Sequence, residues 1–153
     1  MQVFNIHHLD HYNEQYAEQI KELISTRPIL DESIISLYTG TRAHELEVRD
    51  NHHEVSQGEF IKTKCAIVRK LLETNAYQYV ADLKVRNIID VWKMTNSING
   101  YWFMQKNKNL TFKNLSERDT RSYDVVTCGD DIYLINGVGF IDVNNECIFK
   151  CKA

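Results

Sequence analysis

A single proline, Pro28, and six glycines punctuate the 153 residues. So few chain-breaking residues exclude a linker-rich or low-complexity organisation, and residues 1–153 are read as one domain. Long apolar runs are also missing. Ile34-Ile35 and Tyr101-Trp102-Phe103-Met104 fall far short of the ~20 residues needed to cross a bilayer, so no membrane association is expected. The segment Met1-Gln2-Val3-Phe4-Asn5-Ile6-His7-His8 has neither a basic start nor a sustained apolar stretch. No secretory signal is expected from it, and the reading is a protein of the cytoplasm.

In that reducing setting Cys65, Cys128, Cys147 and Cys151 are read as thiols acting as small buried hydrophobes. The even separation of Cys147 and Cys151 would put both on one face of a strand, with Cys128 on a neighbouring strand. Excess charge of one sign is lacking too: a formal charge of −3 and a pI near 6.1 give no global attraction to phosphate. The common catalytic signatures, a Walker loop, GxGxxG, GxSxG, HExxH and CxxC, are all missing. No cofactor and no metal are expected.

Periodicity is plentiful. After Asp10, Tyr12, Tyr16, Ile20, Leu23 and Ile24 recur at helical spacing as far as Pro28. Segments 33–38 and 44–49 flank Thr39-Gly40-Thr41 as a hairpin, although Asp31 could instead cap a short helix. Ser56 and Glu59 form a capping box ahead of Phe60, Ile61, Cys65, Val68, Leu71 and Leu72, which predicts a helix over about 57–74. Tyr77, Tyr79, Ala81, Leu83 and Val85 alternate with polar residues as a strand, and Asn87 with Asp90 opens a shorter helix through Ile88, Val91, Trp92 and Thr95. From Tyr101 onward the runs are short and β-rich: 101–104, 122–128, 132–136, 138–143 and 147–151. Gly129-Asp130-Asp131 and Asn144-Asn145 supply tight turns between them. The expected fold class is α+β, with a mainly helical half (1–76) followed by a strand, a helix and an antiparallel meander (77–153).

Several residue groups carry chemistry. His7, His8 and His11 share metal-ligand spacings, with His44, His52 and His53 elsewhere, but adjacent histidines point in different directions and complete no ligand set. Asp82-Leu83-Lys84 has the D-x-K form of metal-dependent nucleases, which would need a second acid such as Glu45, Glu47 or Asp50. Leu37-Tyr38-Thr39-Gly40-Thr41-Arg42 is similar to the Y-x-G-x-R of some NAD-using transferases, without their companion strands, and reads as a turn. Trp92, Tyr101, Trp102 and Phe103 with Lys106, Lys108, Lys113, Arg118 and Arg121 combine aromatic faces and cations, as single-strand binders and protein interfaces do. The alternative is that both tryptophans are core and the lysines decorate a solvated loop.

Tyr79-Val80-Ala81-Asp82-Leu83, a helix ending in Met94-Thr95-Asn96-Ser97, Trp102, Arg121-Ser122-Tyr123-Asp124-Val125-Val126, Tyr133 and Gly139-Phe140 together resemble the YodL-like domain of phage and mobile-element proteins. The resemblance covers about residues 77–143. Ser122-Tyr123-Asp124 omits the glycine that precedes the aspartate in that pattern. It implies a phage or plasmid accessory protein, some of which counter host defence, with no established activity. The combined expectation is a non-enzymatic protein in the bacterial cytoplasm that docks onto a host protein through Tyr101, Trp102, Lys106, Lys108, Arg118 and Arg121. The alternatives are a metal-dependent nuclease or nucleotide-processing enzyme using Asp82, Lys84, Glu45 and Glu47, and a single-stranded nucleic-acid binder.

Overall fold

The computed structural model describes residues 1–9, 57–95, 102, 108–114, 119–120, 123–136 and 139–149. The helix expected after Asp10, the hairpin expected over 33–38 and 44–49, and Ser56 lie outside them. The chain forms two compact units, Asp10–Ala76 and Met1–Leu9 with Tyr77–Ala153.

In the first unit, helix α1 runs Gln57–Glu73. Cys65, Val68 and Leu71 recur every third residue along it and are all buried, the apolar stripe of an amphipathic helix. At its end the Thr74 hydroxyl donates to the Lys70 carbonyl at 3.0 Å, and two backbone bonds close the last turn. Asn75 turns left-handed (φ 57°), its N–H donates to the Leu72 carbonyl at 3.3 Å, and the Ala76 N–H donates to the Leu71 carbonyl at 3.0 Å. These two bonds form a Schellman termination, which glycine usually supplies and asparagine tolerates.

The second unit is a seven-stranded sheet whose paired strands all run antiparallel. The strands are β1 Gln2–Leu9, β2 Tyr77–Val85, β3 Leu110–Phe112, β4 Val125–Cys128, β5 Asp131–Asn136, β6 Gly139–Asp142 and β7 Cys147–Ile148, in the order β3-β2-β1-β4-β5-β6-β7. With helix α2, Ile88–Thr95, the described residues make an α+β fold. The meander expected at the C-terminal end is present as β4 to β7.

Two strands escaped the sequence reading. Residues 2–9 do not belong with a helical half: β1 sits inside the sheet between β2 and β4. Leu110–Phe112 forms edge strand β3, where a solvated loop was the alternative offered. Trp102, expected in a strand, lies in a 3-10 turn.

One sheet face carries the core. Phe4, Ile6, Ala81, Leu83, Val126, Ile135 and Phe140 gather there with Ile88 and Val91 of α2 and with Trp102. The Asn87 carboxamide oxygen accepts the Asp90 N–H at 3.1 Å and so caps α2 as expected from the sequence. Trp102 has no exposed surface, and its ring meets Phe112 at 5.1 Å and the His8 edge at 5.9 Å. Cys65 is buried and Cys128 half-buried, but Cys147 is exposed on β7, which corrects the reading of that residue as a buried hydrophobe. A two-residue strand at the sheet margin has too few neighbours to cover it.

The β4–β5 turn shows why its sequence is suited to a hairpin. Cys128 pairs with Asp131, leaving Gly129-Asp130 as the loop, with positive φ (59°) at Gly129. That is the first central position, which type II′ hairpins reserve for glycine. A Cβ built at Gly129 meets nothing within 4 Å, so substitution is opposed by backbone conformation alone. Gly129→Ala is expected to destabilise the chain by about 1 kcal/mol, the left-handed penalty less the entropy lost by the unfolded chain. Urea unfolding checks it, and a loss near zero would mean that the turn relaxes to negative φ.

Candidate functional site

The opposite face of the sheet divides into an apolar part and a polar part. Leu9, Val125, Leu134 and Ile141 are buried, and the register places them on that face through the pairs Val125↔Leu134 and Leu134↔Ile141. Beside them, Asn5 is opposite Asp82 on one side and Thr127 on the other, while His7 is opposite Tyr79 and Val125. These residues are half-buried apart from buried Val125.

Tyr79 and Asp82 share this face only because β2 is irregular. Side chains alternate along a strand, so residues three apart should point in opposite directions. Between Ile6↔Ala81 and His7↔Tyr79 the register slips, leaving Val80 as an extra residue on β2. This is a β-bulge. The Val80 carbonyl accepts the N–H groups of Lys113 (2.8 Å) and Asn114 (3.1 Å), and the Asn114 side-chain amide donates to the Tyr79 carbonyl at 2.6 Å.

The resulting cluster is fully interconnected. The Asn5 amide donates to Asp82 Oδ1 at 2.5 Å and to Tyr79 Oη at 3.0 Å, and the Tyr79 hydroxyl donates to the same carboxylate oxygen. Lys113 Nζ lies 3.7 Å from Asp82 Oδ2. Thr127 Oγ1 donates to Asn5 Oδ1 at 3.4 Å and lies 3.2 Å from His7 Nε2. The rings of His7 and Tyr79 are tilted by 46° with centroids 5.0 Å apart.

These contacts set the proton affinities. For Asp82, partial burial pushes upward, but the hydrogen bonds from Tyr79 and Asn5 and the Lys113 charge outweigh it and hold the carboxyl below its usual range. Burial raises the Tyr79 phenol, helped by the bond to Asp82 and its charge. His7 moves down, because burial disfavours the imidazolium more than Asp82 favours it. At neutral pH the arrangement is a carboxylate ringed by donors beside a neutral imidazole.

Acid should therefore weaken the fold in two steps. An unfolded histidine titrates at its ordinary 6.5 and the folded His7 lower, so between the two the unfolded chain binds more protons and stability falls with pH. Below the ordinary 3.8 of Asp82 the same sign applies, and the Asp82 contribution disappears as pH falls through its folded value. Urea titrations at stepped pH are expected to show His7→Gln flattening the upper step and Asp82→Asn the lower one. An upper step unchanged by His7→Gln would assign it to another histidine.

A second polar group lies buried. His8 Nε2 is 2.9 Å from Thr120 Oγ1 and 3.9 Å from Asp124 Oδ2, and Asp124 Oδ1 accepts the Leu9 N–H at 2.8 Å. The Thr120 N–H donates to the Thr95 carbonyl at 3.0 Å, which links this segment to the end of α2. Tyr123 precedes Asp124 with φ 74°, and its carbonyl accepts the Tyr77 hydroxyl at 2.8 Å. Burial, Asp124 and Tyr123 together push the Tyr77 phenol well above its ordinary value. Of the strand expected over 122–128, β4 covers Val125–Cys128 just beyond the left-handed Tyr123, and residue 122 lies outside the described residues. These contacts tie β1, α2 and β4 together within the core.

Of the residues singled out in the sequence, Asp82 stands at the centre of the polar cluster and Lys84 is exposed on the same face of β2. Lys108 is exposed ahead of β3. Trp102 is corrected from a contact residue to a core residue, since a side chain without exposed surface can touch no partner. Glu45, Glu47, Asp50, Tyr101, Lys106, Arg118 and Arg121 lie outside the described residues, as do His11, His44, His52 and His53. His7 and His8 face opposite sides of β1, as neighbours on a strand must. Among the described residues no group of three His, Cys, Asp or Glu could hold a metal ion, and no helix is long and apolar enough to cross a membrane. Asn5 and Thr127 were missed: neither belongs to a local motif, and both join the cluster only through pairings between distant strands.

No family model, no curated protein and no solved structure matches the chain.

Proposed function

We propose that the chain is a non-enzymatic accessory protein of a phage or mobile element, acting in the bacterial cytoplasm by docking onto a host protein and thereby countering host defence. The phage context comes from the resemblance of residues 77–143 to YodL-like domains. The observation that carries the non-enzymatic part is the state of Asp82. Catalysis of the D-x-K type needs a carboxylate with oxygen lone pairs turned towards a metal. Here the carboxylate takes hydrogen bonds from Tyr79 and Asn5 and faces Lys113, so its charge is spent within the protein.

The docking surface is placed on the segment leading into and out of β3, where Lys108, Thr111, Lys113 and Asn114 are exposed. Charges at the rim of an interface mainly steer encounter, so reversing one should slow association. The test is capture of host proteins on the immobilised chain, followed by reconstitution with the purified candidate. A single host protein is expected to bind directly, with Lys108→Glu lowering the association rate by about tenfold at low salt. A reconstituted complex indifferent to Lys108→Glu would refute this surface, and magnesium-dependent cleavage of nucleic acid lost in Asp82→Asn would refute the non-enzymatic reading.

A further inference from the structure

We propose that the polar part of the sheet face opposite the core is a platform for single-stranded nucleic acid, on which His7 and Tyr79 stack bases and Lys84 and Lys108 hold phosphates. This goes beyond the docking reading and shares Lys108 with it, so the His7→Ala and Lys84→Gln variants, which lie outside the docking surface, keep the two tests distinct. His7 and Tyr79 sit on neighbouring strands, turn to the same face and present half-buried rings 5.0 Å apart, so part of each ring remains open to water. Unpaired bases stack on such rings, whereas a duplex hides its base faces.

The charges have the matching sign. Although the whole chain carries −3, Lys84 is exposed on this face and Lys108 is exposed ahead of β3. They lie close together in the fold, because Lys84 N–H donates to the carbonyl of Asn109, next to Lys108. The acidic side chain near them, Asp82, is already engaged by Tyr79, Asn5 and Lys113, so it opposes phosphate little. Asn5 and Thr127, bonded to each other, leave little directional capacity for reading base edges, and the binding should tolerate different sequences.

The test uses the full chain and fluorescence anisotropy with labelled single-stranded RNA and DNA of roughly 12 nucleotides, and with the duplex of the same sequence. Single strands are expected to bind more tightly than the duplex. With about two phosphate contacts, raising salt from ~50 to ~200 mM should weaken binding roughly sevenfold. His7→Ala should cost about tenfold through lost stacking, and Lys84→Gln should lower the salt slope by ~0.7. Circular dichroism and thermal melting of both variants separate lost binding from lost fold. No anisotropy change at about 100 μM protein, equal binding of the duplex, or unchanged affinity in both variants would overturn the proposal. So would a host protein that binds through Lys84 while no oligonucleotide does.

Discussion

The extra residue at Val80 is the constraint on which the polar cluster depends. Without it, Tyr79 would turn towards the side that carries Ala81 and Leu83, and the Asp82 carboxylate would lose its hydroxyl donor. The bulge is held from outside its own strand, because two consecutive N–H groups beyond β3 converge on the Val80 carbonyl and the Asn114 amide takes the carbonyl next to it. An edge strand of three residues thus has a structural duty out of proportion to its length. It fixes the backbone irregularity that assembles Asn5, Tyr79, Asp82 and Lys113 on one face.

The same sheet spends its polar residues in two different ways. On the core side His8, Thr120 and Asp124 satisfy one another and the end of β1, in a place where an unpaired donor or acceptor would cost ~1–3 kcal/mol. On the other side the cluster around Asp82 remains half open to water, where single hydrogen bonds contribute less to stability and geometry is retained for contact with other molecules. Adjacent histidines on β1 serve both: His8 faces inward against Trp102, and His7 outward beside Tyr79.

What could be read in the sequence was local. Helix α1, the Asn87 cap of α2, strand β2 and the Gly129 turn each follow from residues within a few positions of one another, and each is present. Asp82 was legible as part of a D-x-K triplet, but its partners were not, since Asn5 reaches it from the far end of the chain and Tyr79 only through the bulge. Strand β1 went unread because His7 and His8 interrupt its apolar alternation and its partners are distant in sequence. Trp102 shows the converse error. An aromatic flanked by lysines suggests a contact surface, yet its indole fills the space between His8, Phe112 and the core face.

The position of β1 bears on how the protein is made. Residues 2–9 leave the ribosome before either of their neighbours in the sheet, one of which is completed only at Val85 and the other only at Cys128. Contacts between such distant residues form late and slowly, because a long loop must close before they are gained. Until β2 is made Phe4 and Ile6 therefore have no strand beside them, and the nascent chain presents an apolar β-segment of the kind that chaperones hold and aggregates recruit. The strand that completes the interior of the sheet is also the one that vectorial synthesis leaves waiting longest.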